Sequence, residues 1–182
     1  MVEFQTSNKV YIGISLDGFI AKPDGDISFL DTFPFPENDD MGFSSFMSGV
    51  DAILMGRKTF EKVLSFGIKW PYTKPVFVWS ATLEYLPAEL NGKAFLLNGS
   101  ITEILKQIHL LGLHLLYIDG GRTIQSFLME DAIDELIITT VPVLIGDGIS
   151  LFGSVPKQLN FQCVESKVFS NGLCKSTFIR LR

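Results

Sequence analysis

Short apolar runs bounded by Gly, Pro, Asp or Asn alternate along the chain with segments whose apolar positions recur at helical spacing. The runs predict strands at 9–15, 51–55, 75–79, 93–97, 113–118 and 133–141, the last ended by Pro142. Helical spacing predicts helices at 39–49, 59–65, 100–111 and 123–129. The first carries Met41, Phe43, Phe46, Met47 and Val50 on its apolar side. The third has the fullest signature: Ser100 and Glu103 form a capping box, Ile101, Ile104, Leu105, Ile108 and Leu111 share a face, and Gly112 closes it. The tail, 159–170 and 173–181, reads as a hairpin turning at Asn171-Gly172. Strand-helix alternation implies an α/β fold with a mostly parallel central sheet, helices on both faces and the hairpin adding antiparallel strands at one edge.

Between the first strand and first helix the chain runs through a loop, 16–21, a turn at Pro23-Asp24-Gly25, and an irregular Phe- and Pro-rich stretch to Asn38. A stretch of this length is either a lid over a binding site or a surface excursion pinned by Phe33 and Phe35.

Nothing in 182 residues and 20.3 kDa calls for more than one domain, and residues 1–182 are read as one. The hydrophobic share of 47% suits strands buried on both faces, yet no apolar run reaches the roughly 18 residues of a membrane span. The N-terminus lacks the basic-then-apolar order of a signal peptide, so a soluble, cytoplasmic protein is expected. A net charge of −5 argues against a nucleic-acid surface but leaves room for one small anionic ligand. A two-residue turn would place Cys174 opposite Phe169, about 20 Å from Cys163 at 3.3 Å per residue, beyond disulfide reach. With His109 and His114 remote in sequence from both cysteines, no metal site is expected.

Two strand ends carry the candidate chemistry. Residues 51–55 run into Gly56-Arg57-Lys58-Thr59, and 115–118 into Asp119-Gly120-Gly121-Arg122-Thr123. A βα turn leaves backbone N–H groups unpaired at the helix start, glycine admits an anion to the backbone, and arginine adds a planar permanent charge. Either turn alone is as readily a positive-φ glycine beside a solvated arginine. Two at parallel strand ends suggest a ligand with several phosphates, such as a dinucleotide. Neither matches the P-loop or Rossmann pattern.

The segment from Ile53 to Glu61, Ile53-Leu54-Met55-Gly56-Arg57-Lys58-Thr59-Phe60-Glu61, resembles the NADPH-phosphate turn of dihydrofolate reductases, and Tyr117-Ile118-Asp119-Gly120-Gly121-Arg122-Thr123 resembles their second glycine turn. Ser15-Leu16-Asp17-Gly18-Phe19-Ile20-Ala21 and the run Asp134-Glu135-Leu136-Ile137-Ile138-Thr139-Thr140-Val141-Pro142, continuing to Gly146-Asp147-Gly148 and Phe152, are more similar to the reductase domain of the bifunctional riboflavin-biosynthesis enzyme and its stand-alone bacterial relatives. The resemblance spans residues 9–181. It implies a dihydrofolate-reductase-like three-layer fold and NADPH as cofactor. Gly56, Arg57, Lys58 and Thr59 would then meet the pyrophosphate and the adenosine-side phosphate, Ser80 the 2′-phosphate, and Gly120, Gly121, Arg122 and Thr123 the pyrophosphate. Ile20 and Ala21 would border the nicotinamide, with Gly13 beneath it. On the substrate side the resemblance points to Asp40 and Thr139, and it implies pairing into a homodimer through the end of the sheet near Val141 to Gly148.

The chain departs from folate reductases in several places. Asp119 replaces the first of three glycines, a riboflavin-type change, Lys74 stands where an arginine would hold the glutamate tail, and the Met/Pro/Trp signature before the substrate helix is missing. Folate is disfavoured, and the substrate class is a small heterocycle, pyrimidine- or pterin-like, or a carbonyl compound. The zinc-binding H-x-E and C-x-x-C deaminase elements are absent, which leaves reduction alone. Asp40 reads either as the proton source or as a helix-start carboxylate stabilised by the dipole. Asp17 reads as a turn residue, His114 as packed or edge-exposed, and Trp70 and Trp79 as pocket lining or core. The rivals to a reductase are a nucleotide-binding regulatory domain without turnover and a structural dimer module.

Overall fold

The computed structural model describes residues 5–33 and 39–182. In chain order the strands are β1 (Ser7–Ser15), β2 (Phe19–Ala21), β3 (Ala52–Gly56), β4 (Val76–Trp79), β5 (Ala94–Leu97), β6 (Leu115–Asp119), β7 (Glu135–Val141), β8 (Ile149–Ser150), β9 (Asn160–Val168) and β10 (Cys174–Leu181). The helices are α1 (Phe43–Ser48), α2 (Arg57–Ser65), α3 (Ile101–Leu110) and α4 (Gly121–Met129). Eight strands form one sheet in the order β5-β4-β3-β6-β1-β7-β10-β9, parallel from β5 to β7, with β10 and β9 added antiparallel. The expected α/β class and edge hairpin are both present.

Alternation along the strands divides the core into two layers. Val10, Leu54, Leu116, Ile118 and Leu136 pack on one face against Ile101, Ile104 and Ile108 of α3 and Ile124 and Phe127 of α4. Ile53, Met55, Val76, Val78 and Tyr117 pack on the other against Phe46 of α1 and Phe60 of α2. Both glycine turns therefore lie at the carboxyl edge of the sheet, where parallel α/β folds gather their ligands.

Four expectations need correction. The helix read as 39–49 starts at Phe43, because the Asp39 and Asp40 carboxylates accept backbone N–H bonds from Met41, Gly42 and Ser44 and hold a turn there instead. Helices α2 and α4 begin two residues earlier than expected, directly at Arg57 and Gly121. The hairpin closes one residue wider: Phe169 N–H donates to the Leu173 carbonyl, Cys174 pairs with Val168, and a bulge near Phe178 sets Cys163 opposite Phe178, leaving both thiols free. Pairing of β2 with β8 went unread because each is too short to show alternation. Phe35 and the rest of the Phe/Pro-rich stretch at 34–38 lie outside the described residues, as do residues 1–4 of the N-terminal reading. Before them, Phe29 is buried in a small third cluster with Met41, Val141, Phe169 and Leu173, against which Phe33, Val143 and Ile145 pack. Val143 is thus core-packed within the chain, while its neighbour Leu144 is exposed. No helix among the described residues is long and apolar enough to cross a membrane.

Candidate active site

Strands β3 and β6 are parallel neighbours with Met55 opposite Asp119, so their glycine turns stand side by side at one edge of the sheet. Helix α2 leaves the first turn on one face and α4 leaves the second on the other. Neither start is closed by its own sequence: Gly56 and Gly120 occupy the N-cap positions, no side chain among the described residues caps the free amides, and neither first turn contains an acid. That donor set suits an anion, which would take up the unpaired N–H groups and meet no local negative charge within either helix's first turn. Gly120 has φ 92, a left-handed value that favours glycine.

Around this rim, Arg57 donates from Nε to Glu61 at 2.6 Å and from Nη1 to Thr82 Oγ1 at 3.2 Å. Ser80 Oγ accepts from the backbone N–H of Thr82 and Leu83. Arg57, Thr82 and Ser80 therefore form one hydrogen-bonded group beyond β4, while Lys58 and Arg122 are exposed on their helices. Ile20 of β2 reaches the second turn, where a Cβ on Gly121 would lie 2.4 Å from Ile20 Cδ1. Ala21 is buried and pairs with Ile149 of β8. Asp17 accepts from Ser15 Oγ and from the amides of Ile145 and Gly146, tying the loop after β1 to the loop before β8 as a turn residue would.

A cleft of about 930 Å³ opens on the α1 face of β1 and β7. Gly13, Asp40 and Thr139, remote in sequence, all line it, beside Tyr11, Leu30 and Phe43. One wall is the turn from Asp39 to Gly42, in which Met41 has φ 58 and Gly42 φ 87. A left-handed methionine persists only where its surroundings hold it. Here its side chain is buried, and its carbonyl accepts from both Tyr11 Oη at 2.9 Å and Lys175 Nζ at 2.6 Å. Lys175 pairs with Thr139 across β10 and β7.

The carboxylates of the site differ in protonation. Asp40 sits at the start of α1, where hydrogen bonds from the Ser44 side chain and amide and from the Gly42 amide hold its pKa below the usual carboxylate range. It is an ion at neutral pH and a poor proton store. Asp119, at the end of β6, is pushed up to about 6 by burial, against the opposing pull of the Gly120 amide and Tyr117 hydroxyl. Tyr11 rises to about 12, chiefly through burial and then through the charges of Asp40 and Asp39. Sequence reasoning gave Asp119 no chemical role, although an acid directly before Gly-Gly at a strand end was a readable signal. Tyr11 and Lys175 carried none, because their importance comes from meeting one carbonyl across 30 and 134 residues of chain.

The remaining candidates are structural. Trp79 packs edge-on to Phe127 and donates from Nε1 to the Gly99 carbonyl, and Trp70 makes edge-on contacts with Phe60 and Tyr72. His114 lies 5.3 Å from the His109 ring, partly buried.

Comparison with known proteins bears on the whole chain. The model of the RibD C-terminal domain matches residues 9–175. YwjB of Bacillus subtilis (strain 168), an uncharacterized protein, is 35% identical over 167 residues, covering 90% of this chain and 92% of its own. A crystal structure from Shewanella sp. PV-4, provisionally named a riboflavin biosynthesis protein, is 44% identical with a TM-score of 0.93, covering 97% of this chain and 99% of that one. Dihydrofolate reductase from Enterococcus faecalis, solved with NADP(H), shares the fold at a TM-score of 0.67 and 16% identity, over 98% of this chain and 99% of that one.

Proposed function

The chain belongs to the RibD C-terminal domain family, and on that premise we propose that it is an NADPH-dependent reductase of a small pyrimidine- or pterin-like heterocycle or carbonyl compound. The observation that carries the reading is the pair of uncapped helix starts at adjacent strand ends, close along the sheet edge to a cleft that gathers Gly13, Asp40 and Thr139. When bound, the nicotinamide supplies the hydride. The protein's part is to place the acceptor, exclude water and manage one proton. Arg57, Lys58, Ser80 and Arg122 would meet the phosphates. Thr139 and ionised Asp40 would orient the acceptor through hydrogen bonds. Asp40, the carboxylate that lines the cleft, stays the proposed group for the proton, as a relay from water rather than a store, and Asp119, pushed up to about 6 by burial, is not among the cleft-lining residues.

The test is titration with NADPH and NADH, followed by nicotinamide fluorescence, then turnover against a panel of acceptors. Preferential NADPH binding with turnover supports the reading. Binding without turnover across the panel favours a regulatory domain, and no binding of either cofactor favours a structural module. A homodimer remains part of the proposal, with an isologous contact near the β7–β8 end of the sheet. Because Val143 is partly buried against the chain's own third cluster, Leu144→Asp is the cleaner probe, and a mass near 20.3 kDa by light scattering for the unmodified protein rejects the dimer.

A further inference from the structure

Each glycine turn is filled by the other turn's threonine. A Cβ on Gly120 would fall 2.1 Å from Thr59 Oγ1, and one on Gly56 would fall 2.8 Å from Thr123 Oγ1. Both distances are shorter than real Cβ contacts, so in each turn glycine is needed to make room for a side chain rooted in the other. Gly56 is the more telling of the two. Its φ of −79° is open to any residue, and Thr123 Oγ1 is the one heavy atom among the described residues, outside its chain neighbours, that its Cβ would meet within 4 Å. Backbone freedom does not account for glycine there, whereas the threonine opposite does. Thr123 is 4% exposed, so most of its side chain is packed against protein at the first turn.

The two contacts run in opposite senses, Thr59 of α2 into the second turn and Thr123 of α4 into the first. Together they set the distance between two helix starts that lie on opposite faces of the sheet. We propose that Thr59 and Thr123 are positioning residues, cross-turn spacers that hold the two amide-lined turns at the separation where one pyrophosphate-bearing ligand reaches both. The proposal rests on the NADPH reading above. It reassigns these threonines, since the family resemblance implies that they touch phosphate.

The test compares Thr123→Val, Thr123→Ala, Gly56→Ala and the double variant Gly56→Ala/Thr123→Ala. Each is titrated with NADPH and with adenosine 2′-monophosphate, which has no pyrophosphate to span the turns. Thr123→Val keeps the shape and loses the hydroxyl, so its NADPH dissociation constant should stay within about threefold of the unmodified protein, while Gly56→Ala should weaken NADPH by about tenfold or more. Adenosine 2′-monophosphate should bind the Gly56→Ala variant within about threefold of normal, and Thr123→Ala should restore NADPH binding to the Gly56→Ala background. A Gly56→Ala protein that loses both ligands equally reveals a purely structural role and overturns the proposal. So does failure of Thr123→Ala to rescue, or a tenfold loss in Thr123→Val, which would make the hydroxyl a ligand. Should Gly56→Ala not fold, the Thr123→Val and Thr123→Ala pair decides alone: retention by valine with weakening by alanine supports the spacer, and equal behaviour rejects it. An unmodified protein that binds neither ligand overturns the reductase reading and this proposal together, whereas normal NADPH binding without rescue overturns this proposal only.

Discussion

The start of α3 and the starts of α2 and α4 solve the same problem in opposite ways. Every helix begins with amides that have no intrahelical partner. At α3 the chain supplies its own: Ser100 Oγ accepts from the Glu103 amide, and Glu103 reaches back to the Ser100 amide at 2.8 Å. At α2 and α4 it supplies glycine and arginine and leaves the amides open. Open amides are a standing cost where water must satisfy them, and two such starts side by side, next to a helix that shows the chain can cap itself, are what the proposed cofactor reading rests on. The carboxylates beside these starts diverge as well. Glu103 is held below its ordinary pKa by the cap, and Asp119 is pushed above its own by burial.

The hardest blow to that contrast is a side chain on Gly120. Its φ of 92 and the Thr59 oxygen 2.1 Å from its would-be Cβ act together, so Gly120→Val should lower stability by about 3 kcal/mol or more and abolish NADPH binding. Gly112, which closes α3, has φ 77 but nothing within 4 Å. Gly112→Ala should cost only the backbone strain, about 1 kcal/mol, and leave NADPH binding unchanged. Denaturant melts and fluorescence titrations on both variants measure the difference, and equal costs would remove the case for crowding at the rim. Gly121→Val is a less clean probe of ligand contact, because its side chain would strike Ile20 before reaching a cofactor.

Arg57→Ala separates charge from crowding. Its guanidinium is half-exposed and tied to Glu61, so removal should barely move the melting temperature. If it meets a cofactor phosphate, the affinity for NADPH should fall by about 1.5–3 kcal/mol, the range for a charge-assisted hydrogen bond, with a smaller loss for NADH. Equal losses for the two cofactors would place Arg57 away from the 2′-phosphate.

How much of this was readable from the sequence depends on the length of the pattern. The parallel strands and α3 were legible because alternation, helical spacing and a capping box each repeat a signal over several residues. The glycine turns were legible as turns, but the contacts that crowd their glycines were not: the chain's own Thr123 and Thr59 lie where a Cβ on Gly56 and Gly120 would fall. Such a contact depends on β3 and β6 being neighbours in register, which no local pattern encodes. The start of α1 failed for a local reason that was visible in outline, since two consecutive aspartates can bind the backbone and oppose the helix that the apolar spacing favours.

Asp119 offers a pH test of the same contrast. Its folded pKa of about 6 lies above the ordinary aspartate value of 3.8, so between those values the folded state binds more protons than the unfolded one. The contribution is therefore present below about pH 4 and is lost as pH rises through about 6, leaving a destabilising charge at neutrality. Allowing for partial solvent access, Asp119→Asn should gain roughly 1–2 kcal/mol at pH 8 relative to pH 4. A stability difference between the two proteins that is flat across this range would mean the carboxyl is not buried enough to matter.

Ser100→Ala is the smallest perturbation and the one that tests α3's side of the comparison. The alanine removes the oxygen that accepts from the Glu103 amide and one of the groups that holds Glu103 ionised. Loss of an N-cap of this kind should cost about 1 kcal/mol, read from denaturant melts. The sign with pH is opposite to that of Asp119: Glu103's pKa is lowered in the fold, so its contribution is present above the ordinary glutamate range and fades as pH falls through the lowered folded value. The gap between Ser100→Ala and the unmodified protein should accordingly narrow in acid. NADPH affinity should not move, because α3 closes its own amides and offers nothing to a phosphate. A loss of NADPH binding in this variant would show that α3 also serves the ligand, and the division between self-capped and open helix starts would no longer mark the site.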